Sequence, residues 1–286
     1  GRPETFCPKA RIIHVNLDPT ELGRIKRADM AVPADAATAL EAILPLVERR
    51  LRAEWLEQAA RFKARTPSRG PASGHGCARG IIREVASHLD PDAVIVTDVG
   101  QHQMFVAQDF PFQAPGRWLT SGGLGVMGFG LPAAIGAALA EPRAQVVLFT
   151  GDGSLKMNVQ ELATLAETGA NVKIVVLDNQ SLGLVVQQQK LFFEGRQSAS
   201  SFARGANFAA LAEAFGVPGM NLDACRDRKA LFKAALGFHG PALIHTRVDR
   251  AGMVYPMVAP GGSNNEMLHH QEEEEARELA EAANMG

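Results

Sequence analysis

Two short segments of the sequence carry side chains that could hold a metal ion. Asp152 lies in residues 151–154, and Asn179 follows 27 positions later, in residues 178–181. One strand–helix–strand unit fills that gap, so both side chains should emerge at the same edge of neighbouring strands, where doubly wound sheets bind ligands. A carboxylate and an amide oxygen are hard ligands that suit Mg²⁺ or Ca²⁺. The spacing therefore predicts a divalent-cation site.

The same region could also bind a diphosphate. Gly151 and Gly153 permit a sharp turn and close approach to the backbone, and the amides of Gly153 and Ser154 would point outward at a helix start. Gln101 and His102 follow another predicted strand and add two polar side chains. Mg²⁺ takes most of its octahedral shell from phosphate oxygens and water. The combination therefore predicts a Mg²⁺–diphosphate ligand.

Each motif alone has a simpler explanation. Gly-Asp-Gly is common in turns, and Asp-Asn after a strand is an ordinary turn signal. Only their coincidence at the ends of two predicted strands favours a metal site. A dinucleotide site is a weaker alternative, because no GxGxxG motif follows a strand in the required context.

Alternating strands and helices must position these residues. The predicted strands cover residues 12–17, 93–97, 145–150, 172–177, 217–222 and 242–248. The predicted helices cover residues 36–51, a second stretch to about 64, then 76–89, a small-residue helix after the glycine-rich loop 121–130 to 140, 159–167, 207–215 and 226–238. Continuous apolar strands alternating with helices indicate an α/β fold, a doubly wound parallel sheet with helices on both faces.

Turn-rich residues 66–71 mark the predicted domain boundary. We expect residues 1–66 to be the C-terminal remnant of a second α/β domain, 67–250 to bind the metal and diphosphate, and 251–286 to form an arm with an acidic tail. The tail 271–285 predicts an exposed helix. Because no Met begins the chain, we interpret it as the C-terminal portion of a longer protein.

Composition argues against nucleic-acid binding, membrane binding and a disulfide framework. The formal net charge is −2, hydrophobic residues make up 46 % and charged residues 21 %, so no global field favours nucleic acid or a membrane surface. A basic helix face before residue 66 is best explained as a solvated surface, because no aromatic platform accompanies it. Three cysteines without CxxC spacing favour a reducing cytoplasm over a disulfide framework.

Five segments resemble the large catalytic subunit of acetolactate (acetohydroxyacid) synthase, a thiamine-diphosphate enzyme. They are TDVGQHQM (97–104), WLTSGGLGVMGFGLPAAIGAAL (118–139), GDGSLKMNVQELAT (151–164), LGLVVQQQKLFFEG (182–195) and VYPMVAPGGSNNEM (254–267). The resemblance covers residues 1 to about 267, and the Gln-Gln-Gln run is most similar to the isozyme I type. Asp178 departs from the family's Asn-Asn pattern.

The resemblance implies a role for particular residues. The metal ligands would be Asp152, Asn179 and the Ser181 carbonyl. The diphosphate and the metal-bound end of the cofactor would be held by Gln101, His102, Gly151, Gly153, Ser154 and Asn179. An ordinary loop histidine is the alternative for His102.

Three further residues would contact the reacting part of the cofactor or the substrate. Met127 would lie under the bent cofactor, with a simple core methionine as the alternative, and the Gly125 carbonyl would accept from its aminopyrimidine. Gln188 stands where many relatives have Trp, so a large apolar wall of the second-substrate pocket would be missing. We expect this to reduce the preference for 2-oxobutyrate over pyruvate.

The implied reaction is decarboxylation of pyruvate and transfer of the resulting carbanion to a second 2-oxo acid, giving acetolactate or acetohydroxybutyrate for branched-chain amino-acid biosynthesis. The cofactors would be thiamine diphosphate and Mg²⁺, with FAD in the parent enzyme. Asp35 retains one expected FAD contact, but Asn16 replaces an acidic residue. We expect a cytoplasmic homodimer or other homo-oligomer, with a regulatory small subunit as a further partner.

The family's ylide-forming glutamate belongs to an N-terminal domain outside this sequence. We therefore expect these 286 residues alone to bind thiamine diphosphate weakly and to lack synthase activity. Two alternatives stay open. One is another thiamine-diphosphate enzyme, such as a 2-oxo acid decarboxylase or glyoxylate carboligase, and the other is a non-catalytic binding fragment.

Overall fold

A computed structural model describes residues 1–65 and 76–269. These residues form two compact units, one made of residues 1–65 and 255–269 and the other of residues 76–254. The predicted boundary at 66–71 and the predicted tail helix at 271–285 lie outside the described residues. The division at residues 66 and 250 stays a prediction.

The smaller unit begins with a short parallel strand pair. Strand β1 (Ile13–Asn16) pairs with β2 (Met30–Pro33), and helices α1 (Ala36–Ile43) and α2 (Ala53–Arg65) follow. Single 3₁₀ turns cover Pro3–Thr5, Pro19–Glu21 and Leu44–Leu46. Strand β2 was not predicted from the sequence.

The prediction of one helix over residues 36–51 is wrong. Helix α1 ends at Ile43, and a 3₁₀ turn replaces it at Leu44–Leu46. Pro45 explains the end, because proline has no amide hydrogen and its ring clashes with the preceding helical turn. Residues 47–52 have no regular structure.

Strands and helices alternate in the larger unit. Its strands are β3 (Val94–Thr97), β4 (Trp118–Thr120), β5 (Val146–Gly151), β6 (Val172–Asp178), β7 (Gly219–Asn221) and β8 (Ala242–Arg247). Its helices are α3 (Ala78–Ala86), α4 (Gln101–Asp109), α5 (Gly130–Ala140), α6 (Asp152–Leu155), α7 (Glu161–Thr168), α8 (Gly183–Phe192), α9 (Phe208–Ala214) and α10 (Arg228–Gly237), with a 3₁₀ turn at Leu222–Ala224. In the smaller unit, β9 (Met257–Val258) and β10 (Met267–Leu268) pair antiparallel.

The six strands of the larger unit form one parallel sheet in the order β4-β3-β5-β6-β8-β7. The chain moves outward from β3 to β4 and then returns to place β5 on the other side of β3. The carboxyl ends of β3 and β5 therefore flank a topological switch point, which is where open α/β sheets bind ligands.

Both faces of this sheet are covered by helices, as predicted. Along β5, Val146 and Leu148 pack on one face while Val147 and Phe149 pack on the other. Helices α5, α7 and α9 contribute to the first cluster, and α3, α4 and α10 contribute to the second. The fully buried apolar strands thus form the centre of a three-layer α/β domain.

Some elements near the switch point were missed. Gln101 and His102 were expected in a loop, but they open helix α4. Strand β4 and helix α8 were also absent from the prediction, and the strand predicted at 217–222 is limited to Gly219–Asn221.

Within the described ranges, no helix is both long and apolar enough to cross a bilayer.

Candidate cofactor and metal site

A cavity of about 170 Å³ lies at the carboxyl ends of the central strands. Ten of the predicted site residues line it: His102, Gly125, Met127, Gly151, Asp152, Gly153, Ser154, Asn179, Ser181 and Gln188. Gln101 is bonded to one of them, Asn179. Asp35 belongs to the smaller unit, where its side chain caps α1 by accepting from the amides of Ala37 and Thr38.

Two neighbouring strands bring the predicted metal ligands together. Asp152 begins the one-turn helix α6 directly after β5, and Asn179 directly follows β6, with Gly151 and Leu177 paired in register. Asp152 is 2 % exposed. Ser181 is also buried, and its amide donates to Asn179 Oδ1 at 3.1 Å.

This ligand set suits a hard cation. The described residues contain no group of three or more His, Cys, Asp or Glu side chains that could hold a metal. A carboxylate, a side-chain amide and a main-chain carbonyl instead offer oxygen ligands only, which is the choice of Mg²⁺ when phosphate and water complete its shell.

We call the edge that carries the predicted metal ligands Asp152, Asn179 and Ser181 the metal edge. A second carboxylate, Asp178, alters its electrostatics. Burial and the charge of Asp178 raise the pKa of Asp152 to about 7. Burial also acts to raise the pKa of Asp178, but its bonds with His245 Nε2, at 2.9 Å, and with the Gln180 amide outweigh burial and lower it. Two buried carboxylates in contact favour a proton or a cation between them.

His102 presents an unsatisfied polar atom at the cavity. Its Nε2 is buried without a hydrogen-bond partner among the described residues. Burial lowers the pKa of His102 to about 4, against a smaller opposing effect of its bond to the Asp98 backbone. A side chain on Gly151 would meet the imidazole at 3.0 Å, so this glycine leaves room for the ring. A buried polar atom without a partner is one that a ligand can satisfy.

The start of α6 supplies main-chain donors beside the metal edge. Gly153 and Ser154 belong to its first turn, as the sequence predicted for an anion site. A Cβ on Gly153 would lie 2.7 Å from Leu182 Cδ2 and 3.5 Å from Met127 Cε, so a side chain here would displace Leu182 at this wall of the cavity. Ser154 Oγ donates to the Val99 carbonyl at 2.6 Å and ties α6 to the end of β3.

The glycine-rich loop 121–130 closes the cavity on another side. Gly125 has φ +68°, a conformation that favours glycine, and Ser121 Oγ accepts from the Val126 amide. Asn158 Nδ2 donates to the Gly128 carbonyl at 2.8 Å. These bonds hold Met127 against the cavity.

Gln187 was missed by the sequence analysis. It is 1 % exposed, and its Oε1 accepts from Gln101 Nε2 at 2.9 Å and from the Val254 amide at 2.8 Å. Gln101 Oε1 in turn accepts from Asn179 Nδ2 at 3.2 Å, so these two bonds fix the orientation of the Asn179 amide beside the cavity. The resembling segment 182–195 contains Gln187, but only Gln188 was predicted as a site residue, because nothing in the Gln-Gln-Gln run distinguishes its buried member.

A buried carboxylate and a half-buried amide follow two neighbouring strands beside the switch point of a doubly wound sheet, which places this unit in the class of ligand-binding α/β domains. The chain matches the thiamine pyrophosphate enzyme family, C-terminal TPP binding domain, over residues 98–246. It belongs to that family, whose cofactor is thiamine diphosphate, and the resemblance to acetolactate synthase is confirmed by curated relatives.

The chain is 48 % identical over 267 residues to the acetolactate synthase isozyme 1 large subunit of Escherichia coli (strain K12), covering 93 % of this chain and 48 % of that protein. It is 40 % identical over 268 residues to the isozyme 2 large subunit of the same organism, with the same coverage. It is 38 % identical over 284 residues to the acetolactate synthase large subunit of Lactococcus lactis subsp. lactis (strain IL1403), covering 99 % of this chain and 49 % of the relative. The chain thus spans about half the length of the curated relatives it matches.

Proposed function

We propose that this chain is the thiamine-diphosphate- and Mg²⁺-binding portion of an acetolactate synthase. The complete enzyme would decarboxylate pyruvate and join the two-carbon unit to a second 2-oxo acid. The observation that carries the proposal is the cluster of Asp152, Asn179 and Ser181 beside the unsatisfied His102 Nε2. The similarity to acetolactate synthase large subunits supports it.

The metal and the diphosphate have distinct partners in this proposal. Asp152, Asn179 Oδ1 and the Ser181 carbonyl would bind Mg²⁺. His102, Gln101, and the Gly153 and Ser154 amides would bind the diphosphate. The bound cofactor supplies an electron sink for the carbanion left when CO₂ departs. Because Asp152 and Ser181 are buried, charged contacts to them would be stronger than in water.

The loop 121–130 would position the organic part of the cofactor. Met127 lies on the cavity wall, and its flexible, polarisable side chain suits packing against a ring. Gly125 has the left-handed conformation and would present its carbonyl to the aminopyrimidine amine. Both residues would act by holding one cofactor conformation rather than by exchanging protons.

Gln188 would influence the second substrate. It lines the cavity, and an amide there leaves more space and polarity than an indole would. We infer a reduced preference for 2-oxobutyrate over pyruvate. A competition assay on the full-length enzyme measures this preference, and a strong preference for 2-oxobutyrate would contradict the inference.

The names of the relatives bear on the partners, and the cysteines bear on the cellular location. Those relatives are named large subunits, which supports a regulatory small subunit, and we infer a homo-oligomer in which the complete site assembles. FAD would bind in the parent enzyme, with Asp35 as one of its contacts. The three cysteines are free, which agrees with a cytoplasmic location.

Product analysis tests the proposal. Full-length protein supplied with pyruvate, thiamine diphosphate and Mg²⁺ should form acetolactate, and Asp152→Ala should abolish most of that activity. Acetaldehyde as the main product would indicate a decarboxylase, and tartronate semialdehyde from glyoxylate would indicate a glyoxylate carboligase. Either result would reject the acetolactate synthase assignment while keeping the cofactor.

A further inference from the structure

Asp98 is a buried carboxylate that the proposed chemistry does not use. It directly follows β3 and is 1 % exposed. Burial raises its pKa, against the opposing effect of hydrogen bonds from three amides and a hydroxyl. Within the described ranges it makes no ion pair, so these donors alone must stabilise its charge. A buried charge without a counterion is costly, which argues for a specific role.

The contacts of Asp98 join two loops of the site. Oδ1 accepts from the Val99 amide and from the Gly128 amide, both at 2.9 Å. Oδ2 accepts from the Gly130 amide at 3.3 Å and from Thr150 Oγ1 at 3.5 Å. The carboxylate therefore clamps the far end of loop 121–130 to the ends of β3 and β5.

Gly130 shows how closely the carboxylate and the loop are packed. A Cβ at this position would lie 2.9 Å from Asp98 Oδ2 and 2.7 Å from Leu148 Cδ1. A residue with a side chain here would have to push the loop away from Asp98. We call the bonds from Asp98 to the Gly128 and Gly130 amides the clamp. Glycine at position 130 allows the loop to approach Asp98 closely enough to form it.

The backbone of Asp98 and Val99 is hydrogen-bonded to two further residues that line the cavity, His102 and Ser154. The ring of His102 hydrogen-bonds to the Asp98 backbone, and Ser154 Oγ donates to the Val99 carbonyl. The dipeptide Asp98-Val99 is thus bonded to the starts of α4 and α6, while the Asp98 side chain is bonded to the loop that carries Gly125 and Met127. Asp98 is therefore bonded both to His102, on one side of the cavity, and to the loop that carries Gly125 and Met127, on the other.

We propose that Asp98 is a positioning residue of the cofactor site, which holds Met127 and Gly125 at a fixed distance from His102 and α6. This inference rests on the proposed cofactor site. The role requires two acceptor oxygens, because both main-chain amides of the loop point at the same carboxylate. An asparagine would offer one oxygen and turn an NH₂ group towards one of those amides.

Hydrogen exchange on the chain without ligand tests the clamp directly. In Asp98→Asn, exchange at the Gly128 and Gly130 amides should accelerate about tenfold or more, because a bond to a charged acceptor is lost. Asp223→Asn is the matched control, since Asp223 accepts from the Thr246 hydroxyl and the Arg247 amide away from the loop. That variant should leave exchange in residues 121–130 unchanged.

Calorimetric titration with thiamine diphosphate in the presence of Mg²⁺ gives the second measurement. Affinity should fall about tenfold in Asp98→Asn and stay at the wild-type value in Asp223→Asn. Unchanged exchange at both glycine amides together with unchanged affinity would overturn the positioning role. If wild-type protein bound no cofactor, the proposed function would fail, while the exchange data would still decide whether Asp98 holds the loop.

Gly130→Ala keeps the test decisive if Asp98→Asn does not fold. Its methyl group should displace the loop from an intact carboxylate and accelerate exchange at the same two amides. Wild-type exchange in a folded Gly130→Ala variant would contradict the clamp.

Discussion

Asp152 and His102 show how burial and neighbouring charges change the pKa of single residues. Desolvation and the charge of Asp178 raise the pKa of Asp152 to about 7, and desolvation lowers the pKa of His102 to about 4. Both shifts favour the uncharged form of the side chain, and both side chains are buried at the cavity. A divalent cation and an anion are the matching partners.

Gly183 provides a test of the metal edge that changes no ligand. A Cβ at this position would lie 2.1 Å from Gln101 Oε1 and 2.4 Å from Asn179 Nδ2. Gly183→Ala should therefore displace both amides and weaken Mg²⁺ binding about tenfold or more, as disturbance of the groups that orient a ligand does. Calorimetric titration of Mg²⁺ measures the change.

Gly136→Ala is the control for that substitution. Gly136 lies in helix α5, and a Cβ there would meet no atom of the described residues within 4 Å beyond its own helix backbone and chain neighbours. Alanine should therefore raise the free energy of unfolding by about 0.5–1 kcal/mol. Mg²⁺ affinity should not change. Equal Mg²⁺ affinity of the two variants would mean that Gly183 does not shape the metal edge.

His102 predicts a pH dependence of stability. Because its pKa in the folded protein lies near 4 instead of 6.5, the unfolded chain takes up the proton first as the pH falls. The free energy of unfolding should be highest above pH 6.5 and should lose roughly 3 kcal/mol between pH 6.5 and 4 through this residue. Urea unfolding of wild type and His102→Gln across this window measures it. Parallel pH profiles would show that His102 titrates normally.

Among the elements, helix α4 connects the candidate site to helix α3. It begins with Gln101 and His102 at the cavity and ends at Asp109, which accepts from Arg79 and Arg83 of α3. The helix was missed because its buried residues include Gln101, His102 and Gln103, so polar side chains stand where a helical pattern requires apolar ones. Such a break in the local pattern is expected where residues serve a binding site.

The anchor of α4 predicts unequal costs for two arginines. Arg79 is 7 % exposed in its side chain and Asp109 is fully buried, so Arg79→Met would leave a poorly compensated charge and cost about 3 kcal/mol. Arg83 contacts the same carboxylate from a half-exposed position, so Arg83→Met should cost about 1 kcal/mol or less. Denaturant unfolding of both variants makes the comparison. A larger loss in Arg83→Met would contradict the assignment of Arg79 as the anchor.

At the scale of the whole chain, the strand pattern allowed prediction of the parallel sheet and of the edge that holds the site. Continuous apolar strands and the spacing of Asp152 from Asn179 were sufficient for that. The Asp178–His245 bond and the Gln101–Gln187 bond join residues 67 and 86 positions apart and could not be inferred from local patterns. Helix α1 was overextended because the periodic apolar residues outweighed Pro45 in the prediction.

We expect Asp152 and its neighbours to bind thiamine diphosphate through a divalent cation. Calorimetric titration of this chain with thiamine diphosphate, with and without Mg²⁺, tests it most directly, and Asp152→Ala is the matched variant. We expect weak binding that requires Mg²⁺ in the wild type and is lost in the variant. Absence of Mg²⁺-dependent binding in folded wild-type protein, or equal binding by Asp152→Ala, would contradict it.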